Sequence, residues 1–173
     1  MFDRIVPQSC TKMDCVTCDV KTAMRYNAEW HSRLPQTNMG NMLRNREKVF
    51  YAAVFELNYF AVAMWTTPVA ANRLKGGNNM LELRRLAIAP DAPKYTATWM
   101  LGKMVRHIRR YYPNINKLIS YQDTEVHSGT IYAAGNWSLE ATSDYTPWNT
   151  DVRVRTAAVQ SKASKNRWSY NLT

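Results

Sequence analysis

The chain has 173 residues, 46% of them apolar, so it is long enough to bury one core and too apolar to be disordered throughout. No apolar run approaches the roughly 20 residues of a membrane-spanning helix, and no secretory signal is visible at the N-terminus. We therefore expect a cytoplasmic protein with no membrane partner. The net charge of +10 favours an anionic partner, of which nucleic acid is the commonest. A basic protein that is merely soluble is the alternative.

Residues 1–18 form an N-terminal segment that carries the three cysteines. Cys10, Cys15 and Cys18 have the spacing C-x4-C-x2-C, and His31 follows thirteen residues after the last of them. Three thiolates and one imidazole would complete the tetrahedral shell that zinc prefers. There is no second C-x-x-C pair, however, and chain ends often fray. A structural metal therefore stays open, and we assign the cysteines no catalytic role.

Residues 19–33 predict a helix with Asp19 as its cap. His31 lies near the end of this helix, where a functional histidine and an ordinary packed helix end both fit the pattern. The polar and basic residues 38–48 show no periodicity and predict a loop. Two apolar segments, residues 49–57 and 59–66, then predict a short β-hairpin.

The central part of the chain predicts a strand, a helix and a second strand. Residues 81–90 are largely apolar, as expected when both sheet faces are covered, and prolines end the run. Residues 96–112 place apolar side chains at helical spacing, and residues 117–123 form a second apolar strand. This order is the crossover unit of a parallel strand pair, and the loops at the carboxyl ends of such strands usually hold ligands.

The C-terminal part predicts a short helix at residues 130–134 and strands at residues 137–142 and 152–156. Residues 157–173 form a basic tail without an acidic side chain. We interpret this tail as either an unstructured end or a nucleic-acid-binding arm. Its candidate contacts, together with Arg33, are Lys162, Lys165, Arg167 and Trp168.

Several short motifs accompany this order of elements. They are Trp30-His31-Ser32, Glu82 with Arg85-Leu86, Ser120-Tyr121 with Asp123, and the more specific block Gly129-Thr-Ile-Tyr-Ala-Ala-Gly-Asn-Trp137. The order of elements resembles the GCN5-related N-acetyltransferase (GNAT) fold, and over residues 19–145 the motifs resemble the Mom family of phage DNA adenine-modifying proteins. The resemblance implies one α/β domain, placed at residues 19–156, with a mixed central sheet flanked by helices.

The Mom family is understood to convert adenine in phage DNA to N6-carbamoylmethyladenine, which shields the DNA from host restriction. The resemblance therefore implies a DNA-modifying acyltransferase that acts on double-stranded DNA. The positions it implies to be catalytic are His31, Asp123 and Tyr132. The positions it implies to bind substrate or donor are Glu82, Arg85, Ser120 and Tyr121.

The acyl donor is a separate question. Most acetyltransferases of this fold place a Gly-rich pyrophosphate loop after the central strand. Residues 90–98 of this chain contain no glycine, although Thr96 and Thr98 offer hydroxyl groups to a phosphate. A carbamoylmethyl group also has a CH2 on the base nitrogen, which simple acetyl transfer does not produce. We therefore keep glycyl-tRNA and acetyl-CoA as candidate donors, and we hypothesise the first, which makes tRNA a second partner.

Two functions compete with DNA modification. One is an ordinary acetyl-CoA-dependent N-acetyltransferase, which the net charge disfavours. The other is a non-enzymatic nucleic-acid-binding protein, which the combination of His31, Asp123 and Tyr132 disfavours. The sequence does not determine the target context or the oligomeric state, for which a homodimer is one option.

Overall fold

The computed structural model describes residues 4–31, 37–77, 79–144 and 163–173. Within these ranges one sheet contains seven strands in the order β1-β2-β3-β4-β5-β7-β6. Their bounds are β1 Asp14–Thr17, β2 Lys48–Phe55, β3 Asn58–Thr66, β4 Met80–Ile88, β5 Lys117–Asp123, β6 Ser138–Ser143 and β7 Lys165–Asn171. The predicted strand at residues 152–156 lies outside the described residues, as do Arg33 and Lys162.

The helices are α1 Val20–Trp30, α2 Met39–Leu43, α3 Thr96–Tyr111 and α4 Thr130–Ala134, and Cys10–Lys12 and Ala71–Gly77 form 3₁₀ turns. Asp19 caps α1 as predicted, because its carboxylate accepts the N–H of Thr22 at 2.9 Å. The prediction of a loop over residues 38–48 is wrong at α2. That helix has only five residues and one buried side chain, so it is too short to show a period.

The two faces of the sheet are covered by different helices. Beneath α3 lies the main core, which includes Tyr51, Phe60, Trp65, Met100, Met104 and Leu118. On the other face, α1 and α2 cover smaller clusters that include Ala23, Met42, Phe50 and Met64. No described helix is both long and apolar enough to cross a membrane.

The predicted crossover unit is confirmed, because β4 and β5 are parallel and α3 connects them. Every other strand pairing is antiparallel, including the predicted hairpin of β2 and β3. Parallel pairing joins only the first halves of the two strands, from Met80 opposite Lys117 to Leu83 opposite Ser120. Beyond these residues β4 and β5 no longer pair with each other, although β4 still pairs with β3 and β5 with β7. A gap therefore opens between β4 and β5.

The expectation of an unstructured end or a free arm at the C-terminus is wrong for residues 165–171. They form β7, which pairs with β5 over its whole length and with β6 on its other side. Alternate side chains of this strand, among them Trp168 and Tyr170, pack against the main core. The alternation of apolar and polar side chains was missed in the sequence, because the polar positions of the strand carry basic residues. The N-terminal segment also joins the sheet, because β1 pairs with β2 at the edge.

This position of β7 predicts that a chain ending at Ser164 loses its cooperative thermal unfolding transition. Without β7, strand β6 has no partner in the described sheet and β5 loses one of its two neighbours. Calorimetry of the truncated chain checks this, with removal of the exposed Thr173 alone as the control. A truncated chain that unfolds cooperatively near the full-length midpoint would contradict the prediction.

Candidate active site

The candidate active site is the cleft between the carboxyl ends of β4 and β5, where these two strands do not pair with each other. Met64 of β3 pairs with Arg85 and Trp65 pairs with Leu83, so Arg84 is the extra residue of a β-bulge. The bulge falls where the pairing of β4 with β5 ends at Leu83. The resulting cavity has a volume of about 260 Å3. Its lining comes from the carboxyl ends of β4 and β5, residues 127–129, the first turn of α4 and Ala97 of α3.

A pair of hydroxyl groups lies in the floor of this cleft. The hydroxyl oxygens of Ser120 and Tyr132 are 2.8 Å apart, and both side chains are buried. Burial raises the pKa of Tyr132, although the hydrogen bond to Ser120 acts against this. Tyr132 is therefore protonated at neutral pH, and its O–H can donate to an oxygen in the cleft. The sequence-predicted residues Ser120 and Tyr132 are thus brought together.

The orientation of Tyr132 depends on a frame of side chains behind it. Its ring stacks on Trp168 with centroids 5.5 Å apart, and Trp168 Nε1 donates to Gln122 Oε1 at 2.6 Å. The amide of Gln122 in turn donates to the backbone carbonyl of His127. Gly129, which precedes α4, has a φ of +78° and lies against this frame. An added Cβ there would be 2.6 Å from Gln122 Oε1 and 2.8 Å from Trp168 Cζ2.

Arg85 supplies a cation to the cleft. Its Nη1 donates to the carbonyl of Arg84 at 2.6 Å, and its buried Nε has no hydrogen-bond partner among the described residues. Burial, followed by the neighbouring charge of Arg84, lowers the pKa of Arg85 to about 10. Glu82 pairs with Arg84, at 3.5 Å, and within the described ranges Arg85 makes no ion pair of its own. A carboxylate or phosphate in the cleft would complete the hydrogen bonding of Arg85.

His31 follows the last residue of α1, which packs on the sheet face opposite α3, and it does not line the cleft. Its backbone N–H donates to the carbonyl of Asn27 at 2.9 Å. Burial, followed by the charges of Arg85 and His127, lowers the pKa of His31 to about 4. The imidazole is therefore neutral at pH 7. In this neutral form it adds no second positive charge to that of Arg85, and it can take part in hydrogen bonds.

Two other sequence-predicted residues have structural partners. Asp123 Oδ1 accepts the N–H of Glu125 at 3.1 Å and so supports the turn after β5. Glu82 is buried, and its carboxylate accepts the N–H of Val69 at 3.1 Å. Neither side chain lines the cleft. Their roles in catalysis and substrate binding stay predictions, whereas Tyr121 lies in the cleft wall.

The loop before α3 differs from the expected phosphate loop. Thr96 is buried, and its hydroxyl donates to the carbonyl of Pro93 at 2.6 Å, so it is not available as a donor to phosphate. Asp91 in the same loop forms an ion pair with Arg4, so each charge neutralises the other. Thr98 is partly exposed in the first turn of α3. A pyrophosphate would therefore meet only one of the two predicted threonine hydroxyls and no unpaired cation from Arg4.

The residues assigned to nucleic-acid contacts in the tail are integrated into the sheet. Arg167 Nε is 2.8 Å from Glu140 Oε2, and Trp168 packs on Tyr132 as described above. Lys165 pairs through its backbone with Asp123 of β5 and Ser143 of β6. The tail therefore does not offer these three residues as a free arm. Their contacts with nucleic acid stay a prediction.

The cysteines are not assembled into a metal site in the part of the chain that the structure describes, where no group of three or more metal-ligating side chains occurs. Burial raises the pKa of Cys15 and of Cys18 to about 12, so both thiols are protonated. Cys10 packs into the main core, and Cys15 and Cys18 are half-buried at the edges of apolar clusters.

The sequence analysis missed Gln122 and His127. Gln122 is two residues after Ser120 and so faces the same side of β5, a signal that strand alternation contained. His127 lies in an irregular turn, where no periodicity indicates which side chains meet the cleft. Arg84 was missed as the bulged residue, because a bulge depends on the pairing of two strands and not on one strand alone.

Many solved structures have the same architecture as this chain, and the three that follow have low sequence identity to it. A ribosomal-protein-alanine N-acetyltransferase from Escherichia coli has a TM-score of 0.66 and 9% identity, with 93% of this chain and 94% of that chain covered. A spermidine N-acetyltransferase from Vibrio cholerae, in complex with CoA and spermine, has a TM-score of 0.65 and 9% identity, with coverage of 94% and 96%. A putative GNAT-family acetyltransferase from Desulfovibrio desulfuricans has a TM-score of 0.62 and 9% identity, with coverage of 93% and 99%.

These likenesses and the splayed β4–β5 pair show that the protein has the GNAT fold, which confirms the predicted fold class. Comparison with curated proteins found no match. Among protein families, the Mom protein family matches residues 41–171. The chain therefore belongs to the Mom protein family, and the resemblance noted in its motifs is confirmed.

The position of Gly129 predicts that Gly129→Ala destabilises the protein by roughly 1–3 kcal/mol and also lowers activity. The positive φ disfavours alanine, and the new Cβ would push apart Gln122 and Trp168, which orient Tyr132. The matched control is Gly102→Ala in α3, where the nearest contact is 3.8 Å away and the change should stabilise the helix by about 0.5–1 kcal/mol. Equal unfolding free energies for both variants would contradict this.

The environment of His31 predicts an unusual titration. Because its pKa of about 4 lies below the ordinary 6.5, the unfolded chain binds this proton first, and stability falls as pH drops from about 6.5 through about 4. In NMR titrations, Arg85→Gln should raise the pKa of His31 only partway, since burial is the larger cause. Arg106→Gln, on α3, is the control and should leave it unchanged. A wild-type His31 that titrates near 6.5 would refute the assignment.

Proposed function

We propose that this protein is a DNA-modifying acyltransferase that converts adenine in double-stranded DNA to its N6-carbamoylmethyl derivative and so protects the DNA from restriction. Membership in the Mom family and the acetyltransferase fold support an acyltransferase. The single observation that carries the proposal is the composition of the cleft. Where β4 and β5 separate, a half-buried Arg85 without an ion pair in the described residues lies with the Ser120–Tyr132 hydroxyl pair.

The acceptor base needs a stacking partner, because N6 of a paired adenine is most accessible when the base is flipped out of the duplex. Trp65 is fully buried and donates to Met104 Sδ at 3.1 Å, so a flipped base cannot stack on it. Trp30 stacks on Tyr26 at 4.5 Å, and one face of Tyr132 is covered by Trp168. The half-buried Tyr121 in the cleft wall is the partner that the geometry favours.

The donor that suits this cleft is an activated glycyl group, carried by tRNA. Coenzyme A, as bound by the Vibrio cholerae enzyme, presents a pyrophosphate. In this chain the corresponding loop contains no glycine, pairs Asp91 with Arg4 and directs the hydroxyl of Thr96 onto Pro93. These residues fit a CoA pyrophosphate poorly. An acetyl group also lacks the nitrogen that the terminal amide of the product requires.

The chemistry balances with a glycyl ester. N6 attacks the ester carbonyl, the N6–C bond forms, and the C–O bond breaks to release the ribose hydroxyl of the tRNA. The free amine of the glycyl group then attacks C6 through a five-membered ring, and the original N6 leaves C6. The product is base-NH-CH2-CO-NH2, and the proton lost from the attacking nitrogen is matched by the one gained at the leaving group.

The residues of the cleft have distinct proposed roles in this reaction. Tyr132, which is protonated and next to Ser120, donates to the developing oxyanion of the first step. His31 is neutral at pH 7 and feels the charge of Arg85, and we assign its imidazole as the first candidate to accept the proton of the attacking nitrogen. Asp123, which holds the turn after β5, is the second candidate for that role. Arg85 orients a phosphate of one of the two nucleic acids.

Isotope labelling of the reaction tests this proposal. With 15N-glycine charged onto tRNA and purified protein, nucleoside mass spectrometry of duplex DNA should find the label on the base-linked nitrogen. With DNA labelled at the adenine N6, that nitrogen should appear in the terminal amide instead. Both outcomes follow from the displacement of N6 in the second step.

The control reaction replaces charged tRNA with acetyl-CoA and free glycine. Efficient formation of N6-carbamoylmethyladenine in that mixture would reject the glycyl donor. Formation of N-acetyl products on amines, with DNA unmodified, would show an ordinary N-acetyltransferase. DNA binding without any transfer would show a non-enzymatic binding protein.

A further inference from the structure

A second cavity, of about 160 Å3, lies beside the amino ends of β4 and β5 and shares no lining residue with the active-site cleft. Four parts of the chain contribute its polar lining. Asn72 and Arg73 come from the 3₁₀ turn before β4, Lys117 from β5, Glu140 from β6 and Arg167 from β7. The proposed reaction uses none of these side chains.

This cavity lies on the face of the sheet opposite α3. Lys117 and Ile119 line it, and they alternate along β5 with Leu118 and Ser120. Leu118 is fully buried in the core beneath α3, so Lys117 and Ile119 point to the other face. Helix α1, which His31 follows, packs on that same face.

The charge of the cavity is not balanced by its own residues. Glu140 pairs with both Lys117 and Arg167, the second at 2.8 Å. Burial acts to raise the pKa of Glu140, but the hydrogen bonds from Lys117 and Arg167 hold it below its ordinary value, so the carboxylate is ionised. Arg73 makes no ion pair in the described ranges. Three cations therefore face one carboxylate, which favours an added anion.

A direct link joins this cavity to the cleft. Tyr121 lines the cleft, and in the sheet it stands opposite Arg167 of β7, which lines the second cavity. Tyr121 is two residues after Ile119 on the same face of β5, a separation of about 7 Å. Phosphates of one DNA strand recur about every 3.4 Å along the helix axis. A strand with its target base against Tyr121 therefore has a phosphate within reach of the cavity.

We propose that the cavity around Arg73, Lys117 and Arg167 binds a phosphodiester group of the acceptor DNA, next to the nucleotide whose base enters the cleft. This inference rests on the proposed function for the identity of the acceptor. Another basic surface within the described residues is the exposed side of α3, with Lys103, Arg106 and Arg110. It lies on the opposite face of the sheet from α1 and the cavity, so it serves as the comparison.

The test is a double-mutant cycle between protein and DNA. Arg73→Gln removes the cavity cation that makes no ion pair among the described residues, Arg73→Lys keeps the charge, and Arg106→Gln is the matched loss of one guanidinium on α3. Each variant is titrated with a duplex oligonucleotide that contains one substrate adenine, and with the same duplex carrying single methylphosphonate linkages on either side of that adenine. Thermal midpoints show that the variants are folded.

For the unmodified duplex, Arg73→Gln should weaken binding roughly tenfold and should reduce the slope of log K against log salt concentration by about 0.9, because one phosphate contact is lost. Arg73→Lys should keep the wild-type slope, and Arg106→Gln should leave the affinity nearly unchanged. One of the methylphosphonates should weaken the wild type but not Arg73→Gln.

Additive effects of Arg73→Gln and every methylphosphonate would overturn the inference while leaving DNA modification intact. A larger loss with Arg106→Gln than with Arg73→Gln would place the DNA on α3. Sensitivity of tRNA binding alone to Arg73→Gln would assign the cavity to the donor and overturn the inference. A wild-type protein that modifies and binds no duplex DNA would reject the proposed function and this site together.

Discussion

The separation of β4 from β5 is the constraint on which the rest of the structure depends. Backbone hydrogen bonds hold the first halves of these parallel strands together, and the bulge at Arg84 ends the pairing at Leu83. Unpaired backbone groups and side chains of both strands then face a common gap. Because α3 covers one face of the sheet and α1 the other, the gap lies between these two layers of helices.

The side chains of the cleft are held by a second set of contacts. Trp168, Gln122 and Gly129 fix the ring of Tyr132, and each contact links a different element of the fold. Burial keeps Tyr132 protonated and His31 neutral, whereas Arg85 stays charged with a pKa of about 10. The cleft lining thus combines the Ser120–Tyr132 hydroxyl pair with two arginines, of which Arg84 is paired with Glu82 and Arg85 makes no ion pair among the described residues.

Charge is distributed over this fold in a way that the net value of +10 does not reveal. Several cations are neutralised locally, as Arg4 is by Asp91, and Arg84 by Glu82. Arg85 and Arg73 make no ion pair in the described residues, and both lie in cavities next to β4. Such cations are the ones that an incoming phosphate can use, since no carboxylate has to be displaced.

The sequence by itself determined the elements that repeat a local pattern: the β2–β3 hairpin, the β4–α3–β5 crossover and the GNAT order of elements. Periodicity and helix capping depend on neighbouring residues in the chain, so the role of a residue such as Asp19 can be predicted from the local sequence. The positions of Ser120 and Tyr132 were also predictable from short motifs. Only the tertiary structure decided that residues 165–171 complete the sheet and that Gln122 holds the cleft wall. Strand pairing and bulges join residues that lie far apart in the chain, and no single segment records them.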